Sequence, residues 1–243
     1  NKGGKNITLE PGNQIELSGD KLNHIHEACA ESQDYLFELR QVTQKIDINI
    51  VSAGFDPISK LDEIPNNPKQ RYELMTKDMP LGGELSLDMM YRTCGTQLNI
   101  DYNSEPDFIK KFKIVNSIVP ISIALFANSA IVEKKKSNYL SYRSKVWQST
   151  SRGGLPKIFF EELDFEKYAE FIINFPILFI QHEGAYVSGR KYSFKDFMEG
   201  KIDKIGNRTP TENDLTTHLS TIFTENRLKK YIDRRTMDTR GWD

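Results

Sequence analysis

Between Ile7 and Gly19 the chain reads ITLEPGNQIELSG, two short alternations of polar and apolar residues on either side of Pro11-Gly12-Asn13. Side chains on a strand point to opposite faces with period two, so this pattern folds as an antiparallel hairpin and not as a helix. Thr8 and Glu10 alternate with Ile7 and Leu9 on the first arm, and Gln14 and Glu16 with Ile15 and Leu17 on the second. Glu10 and Glu16 therefore share one face, close enough to hold a cation between them. Paired bare carboxylates repel, and a hard divalent cation with oxygen ligands is the usual relief. From these residues alone a solvated hairpin face is the simpler explanation. What lies downstream changes that weighting.

The 243 residues are enough for one large domain or two small ones with a substantial core. Basic residues number 33 and acidic ones 34, a formal net charge of -1, which gives no support to a nucleic-acid or membrane-surface partner. The longest apolar run, around Ile118 to Ala127, is broken by Pro120 and serines and falls short of the ~20 residues that span a bilayer. Cys29 and Cys94 are too few for a disulfide framework or a zinc site, so a reducing cytoplasm is the expected setting. The chain opens in NKGGKN, without Met, and ends at Arg240-Gly241-Trp242-Asp243; both ends are read as cuts through a longer protein.

After the hairpin, Ser18-Gly19-Asp20 is expected to cap a helix from Lys21 to Ile46, its inward stripe being Leu22, Ile25, Cys29, Leu36, Leu39, Val42 and Ile46. His24 and His26 lack metal spacing. Ile48 to Ala53 reads as a strand, residues 57 to 70 as a long ordered loop, and Lys69 to Tyr72 as the start of a short helix. Residues 91 to 102, YRTCGTQLNIDY, predict a second strand with one amide-rich face carrying Gln97 and Asn99. A helix capped by Ser104 follows, with Phe108, Phe112 and Val115 buried. Further on, Arg143 and Trp147 stand four apart, an arginine able to grip a carboxylate beside an aromatic wall. Lys157 to Phe160 reads as strand-like, Asp164 to Phe175 as a helix, and Pro176 to Gln181 with Ala185 to Ser188 as a hairpin. Thr211 to Phe223 reads as a helix with Leu215, Leu219 and Ile222 inward. Arg227 to Met237 is expected to place Tyr231, Asp233 and Arg235 on one strand face.

Taken together, the stretches LEPGNQIELSG, KQRYELM, LDMMYRTCGTQLNIDY, ALFANS, YLSYRSKVW and TIFTENRLKKYIDRR, in that order, resemble the plant and alphaproteobacterial type of glutamate–cysteine ligase. The resemblance runs along nearly the whole chain. It implies an α+β fold with a glutamine synthetase-like architecture: a curved antiparallel sheet, a funnel, flanked by helices. It also implies ATP-dependent joining of the glutamate γ-carboxylate to the amine of cysteine through γ-glutamyl phosphate, the first step of glutathione biosynthesis. Magnesium would neutralise the gathered anions. By resemblance Glu10, Glu16, Gln97, Asn99 and Asp233 are metal or phosphate contacts. Arg71, Thr96, Leu98, Arg143 and Trp147 hold glutamate, and Arg235 and Arg143 act on the reacting groups.

Three departures from the family pattern stand out. Asp233 occupies the place of a Glu, the segment Gln148 to Gly153 is short and less acidic, and a metal-binding strand expected before residue 1 and helices expected after residue 243 are absent. The chain is therefore expected to be one incomplete catalytic domain, inactive alone, from a monomer or homodimer. Three rivals carry different chemistry: a sister ligase using another amine, a metal-dependent hydrolase or nuclease that needs no ATP, and a non-catalytic metal-binding domain.

Overall fold

In the computed structural model, which describes residues 4–241, the opening alternation is an antiparallel hairpin. Strands β1 (Asn6–Leu9) and β2 (Ile15–Ser18) pair with Thr8 opposite Glu16 and Leu9 opposite Ile15. The turn closes through Asn13 N–H to the Glu10 carbonyl at 2.9 Å, with Asn13 in the left-handed region its short polar side chain tolerates. Gln14 fastens the hairpin to the rest of the molecule by donating to the carbonyls of Met90 (3.1 Å) and Thr93 (3.2 Å). Gly12 permits this docking, since a Cβ there would lie 2.2 Å from the Tyr91 carbonyl oxygen.

Helix α1 (Ile25–Lys45) begins later than the sequence suggests, because Ser18 still belongs to β2 and the His24 ring, not Ser18-Gly19-Asp20, accepts from Glu27 N–H. Its inward residues are Glu31 and Thr43, while Ile25, Val42 and Ile46 of the expected stripe are exposed. Cys29 is only partly buried. Residues 48 to 53 are not a strand: the alternation is present, but no neighbouring strand among the described residues offers it a ladder. Helix α2 (Gln70–Asp78) and helix α3 (Ser86–Arg92) follow. The second strand signature thus starts too early. Tyr91 and Arg92 are helical, held by the i,i+4 pair Arg92–Asp88 at 2.9 Å, and strand β3 covers only Gly95–Ile100.

Ser104 caps helix α4 (Glu105–Ser117) as its sequence requires, accepting from Asp107 N–H, and helix α5 (Val119–Phe126) continues beyond. A small hairpin of β4 (Ile131–Val132) and β5 (Lys135–Lys136) leads to helix α6 (Tyr142–Gln148). Lys157–Phe160 is a 3-10 turn after Pro156 instead of a strand; it swings Phe159 into the core against Phe112, ring centroids 5.0 Å apart. Helix α7 (Phe165–Asn174) and strands β6 (Phe179–His182) and β7 (Ala185–Ser188) follow the sequence pattern, and helix α8 (Phe194–Met198), capped by Ser193, comes after them. In helix α9 (Glu212–Ser220) the inward residues are Asp214 and His218, with Leu215 and Leu219 each 37% exposed. A capping box with Thr211 and a bidentate pair with Arg208 turn Asp214 inward and rotate the helix by a residue. The final segment is two strands, β8 (Asn226–Leu228) and β9 (Ile232–Asp238), not one.

The chain is thus α+β, with separate small antiparallel sheets, the largest being β3-β9-β8. Aromatic residues Phe108, Phe112, Phe159 and Tyr168 build a core under that sheet with Ile222 and Ile232. A second cluster joins Tyr72, Met89, Met90, Trp147, Phe179 and Phe223. Each such side chain contributes about 1.5–3 kcal/mol on burial, so the two clusters fix how the sheet, α6 and β6 meet. No helix among the described residues is long and apolar enough to cross a membrane.

Candidate active site

The three-stranded sheet has two faces of different character. Leu98, Arg234 and Asn226 lie in one cross-strand row, and this row faces the helices: Arg234 donates to the Val115 carbonyl at 3.1 Å and to the Ser122 hydroxyl, and Asn226 to Asn116. The neighbouring row, Asn99, Asp233 and Arg227, lies on the other face because side chains alternate. The register shifts between Thr96 and Leu98, where Gln97 stands against the pair Arg235 and Thr236. This bulge keeps Arg235 on the face of Asp233 and bends β9 beside it.

Arg143 braces the bulge. From the first turn of α6 its guanidinium donates to the carbonyls of Arg235 at 2.7 Å and Thr236 at 3.2 Å. Gly95 leaves the room for this, as a Cβ there would stand 2.6 Å from Arg143 Nη2. Asp238, at the end of β9, anchors the same helix: it accepts from the Ser129 and Ser141 hydroxyls at 2.7 and 2.9 Å and from Asn128 N–H at 2.8 Å. Ser141 is the cap of α6, and Ser129 accepts from Arg143 N–H at 3.1 Å. Trp147, one turn on, carries both Arg143 and Arg235 against its ring, their guanidinium carbons 4.9 and 5.3 Å from its centroid. The Nε atoms of Arg143 and Arg235 and the Trp147 indole N–H are buried without a hydrogen-bond partner.

Charge is concentrated here. One oxygen of Asp233 is taken up by Arg227 (2.9 Å to Nε) and Lys229 (2.9 Å), while its other oxygen is buried and unpartnered. Burial works against the ionised Asp233, but Arg227 and Arg235 outweigh it and hold the carboxyl below its usual range. Burial pushes Arg235 down to about 10, with Arg227 adding to the effect. Glu16 reaches the same neighbourhood from β2. Its carboxyl is raised by burial first and by Glu10 second, with Arg235 and Lys229 opposing and Asp233 adding. The hairpin acids and the β9 pair are therefore electrostatic neighbours, although far apart in sequence.

The remaining expected residues fall around this centre. Arg71, from α2, lies between the rings of Tyr72 and Phe179 with its Nε unpartnered. Gln97 and Asn99 share the site face of β3, whereas Thr96 and Leu98 point the other way; all four are exposed. Donors near Asp233 are carboxylate and amide oxygens, the type a magnesium ion takes. Yet no three His, Cys, Asp or Glu side chains among the described residues are gathered closely enough to hold an ion. Sequence reasoning missed Glu225, Arg227, Lys229 and Asp238. The first three lie in TIFTENRLKKYIDRR, and only strand pairing brings them opposite β9. Burial pushes the Cys94 thiol up to about 11, and both cysteines are free.

A model of glutamate-cysteine ligase family 2 matches residues 1–243. Among curated proteins the chain is 42% identical to the chloroplastic glutamate–cysteine ligase of Nicotiana tabacum, over 99% of this chain and 47% of that protein. It is 41% identical to glutamate–cysteine ligase A, chloroplastic, of Oryza sativa subsp. japonica over 99% of this chain and 50% of that protein. It is 39% identical to the chloroplastic enzyme of Arabidopsis thaliana over 99% and 47%. The chain thus spans about half the length of the relatives it matches. Their names overturn the expectation of a cytoplasmic setting, which rested only on the scarcity of cysteine; a scarcity of cysteine marks a reducing environment and does not name a compartment.

Proposed function

This chain belongs to glutamate-cysteine ligase family 2, and from that membership we propose that the protein containing it joins the glutamate γ-carboxylate to the amine of cysteine at the expense of ATP, the first step of glutathione biosynthesis. The observation that carries this reading is the meeting of Glu10, Glu16, Asp233 and Arg235 in one charged neighbourhood beside Arg143 and Trp147. A carboxylate is a poor acyl donor. It becomes a good one when the ATP γ-phosphoryl is placed on it, and the cysteine amine then displaces phosphate from the γ-glutamyl phosphate. The chain's task is to hold several anions together.

Arg71, Arg143 and Trp147 hold glutamate in this reading: guanidinium groups bind its carboxylates and the indole ring excludes water. Thr96 and Leu98 contribute backbone contacts. Arg235, supported by Arg227 and Lys229, faces the charge that spreads over the phosphoryl oxygens. Glu10, Glu16 and Asp233, with Gln97 and Asn99, would each offer magnesium an oxygen donor, the ATP phosphates and polypeptide outside residues 1–243 completing a set that these side chains do not close by themselves. That ion, when bound, neutralises phosphate charge and keeps the transfer in line. Residues 1–243 then form one part of a glutamine synthetase-like funnel whose other strands and helices come from polypeptide outside them. The exposed edge of β3 and the uncovered apolar stripe of α1 support this. The substrates are small molecules, the functional unit is a monomer or homodimer, and the setting is a plastid, in keeping with the relatives' names.

The test is to express the complete open reading frame and follow ADP release. The reading requires release that depends on glutamate, cysteine and Mg2+ together, and a Glu16→Ala variant whose Mg2+ requirement rises by about tenfold or more. Turnover with another amine in place of cysteine would make it a sister ligase, and hydrolysis without ATP would discard the ligase reading.

A further inference from the structure

Arg143, buried, and Arg235, half-buried, share the Trp147 ring, and like charges so close are costly unless a carboxylate is near. The obvious carboxylates are already engaged. Asp233 serves Arg227 and Lys229, and Asp238 serves two serine hydroxyls and a backbone amide. One is left. Glu225 is 3% exposed, and its Oε2 has no hydrogen-bond partner. It precedes β8, where Asn226 pairs with Arg234, and its carbonyl accepts from Arg235 N–H at 2.9 Å. It thus stands across from Arg235 at the bulge that Arg143 braces, with side chains on the same face.

We infer that Glu225 is a positioning residue: it supplies the counter-charge that keeps the Arg143 guanidinium against Trp147, beside Arg235, and directed at the anions of the reaction. The attraction runs both ways. Arg143 is the cation that acts most on Glu225, ahead of Arg235 and Arg234, and Glu225 is the anion that acts most on Arg143, ahead of Asp238. Removing the charge and keeping the shape leaves Arg143 beside Arg235 with only the already engaged Asp238 to oppose their repulsion, so the two groups separate and lose their aim. Glutamate and phosphate, the anions this pair faces in the ligase reading, suffer first.

This inference rests on the ligase reading for its kinetic test, and the test separates the two. In the complete protein, Glu225→Gln raises KM for glutamate by about tenfold or more, with KM for cysteine within about twofold of wild type. Glu225→Asp, which keeps the charge, recovers at least half of that loss on a logarithmic scale. Equal rises in both KM values, no rise for glutamate, or no recovery by Glu225→Asp would each overturn the inference. Should wild type itself fail to ligate, the ligase reading falls, and a double-mutant cycle of melting temperatures for Glu225→Gln and Arg143→Gln, which removes the cation, still tests Glu225. Non-additive shifts sustain the inference and additive ones end it.

Discussion

Gly95 and His218 show how single residues act at a distance from their own chemistry. Gly95 has no side chain to contribute, yet Arg143 lies where its Cβ would be. Gly95→Ala should push the guanidinium off the bulge carbonyls, leaving two carbonyls and a buried charge short of partners, at a cost of about 1–3 kcal/mol. Its kinetic defect should match that of Arg143→Lys, which parallel steady-state assays would check. His218 is buried under Phe194, with Nε2 2.9 Å from the Ile172 carbonyl, and burial holds its pKa down to about 4. The unfolded chain takes up a proton at this ring near pH 6.5, whereas the native state refuses it until about 4. Stability from this group is therefore complete above pH 6.5 and is lost as pH falls through that window, on the order of 3 kcal/mol in all. Denaturant titrations from pH 8 to 4 should show this slope in wild type and a shallower one in His218→Gln.

At the scale of elements, helices were legible where caps and stripes agreed. Ser104 with Phe108, Phe112 and Val115 predicts α4, and both its start and its buried face match. Phe108 touches Tyr102, Phe112, Phe165 and Tyr168 and is fully buried, so Phe108→Ala should cost about 3–5 kcal/mol by thermal or chemical unfolding. Ser104→Ala should cost only about 1 kcal/mol. Strands were legible only where a partner strand exists. The alternation at 48–53 resembles that of the hairpin, but without a ladder it stays irregular, and Lys157 to Phe160 gives up extension to bury Phe159. Helix α9 turns by one residue because the Asp214 cap outweighs two leucines.

For the whole molecule, what stands out is the apolar surface left uncovered. Ile25, Phe37 and Val42 of α1, Ile46 at its C-terminal cap and Leu98 of β3 are all exposed, and the relatives are about twice as long as this chain. In the complete protein, amides of β3 should exchange with deuterium more slowly than in residues 1–243 alone. Equal exchange rates in the two would mean that β3 remains an edge strand.

The hairpin, helices α1, α2, α4, α7 and α9 in outline, the α+β class and the family resemblance were legible in the sequence, because they rest on local periodicity, caps and ordered motifs; α3 and α6 were not. The fold in three dimensions set the electrostatic proximity of Glu16 to β9, the bracing of the bulge by Arg143, and the place of Glu225 across from Arg235. Those relations depend on strand register and on one displaced residue in β9. A one-residue slip reverses every side chain beyond it, and no local pattern records where the slip occurs.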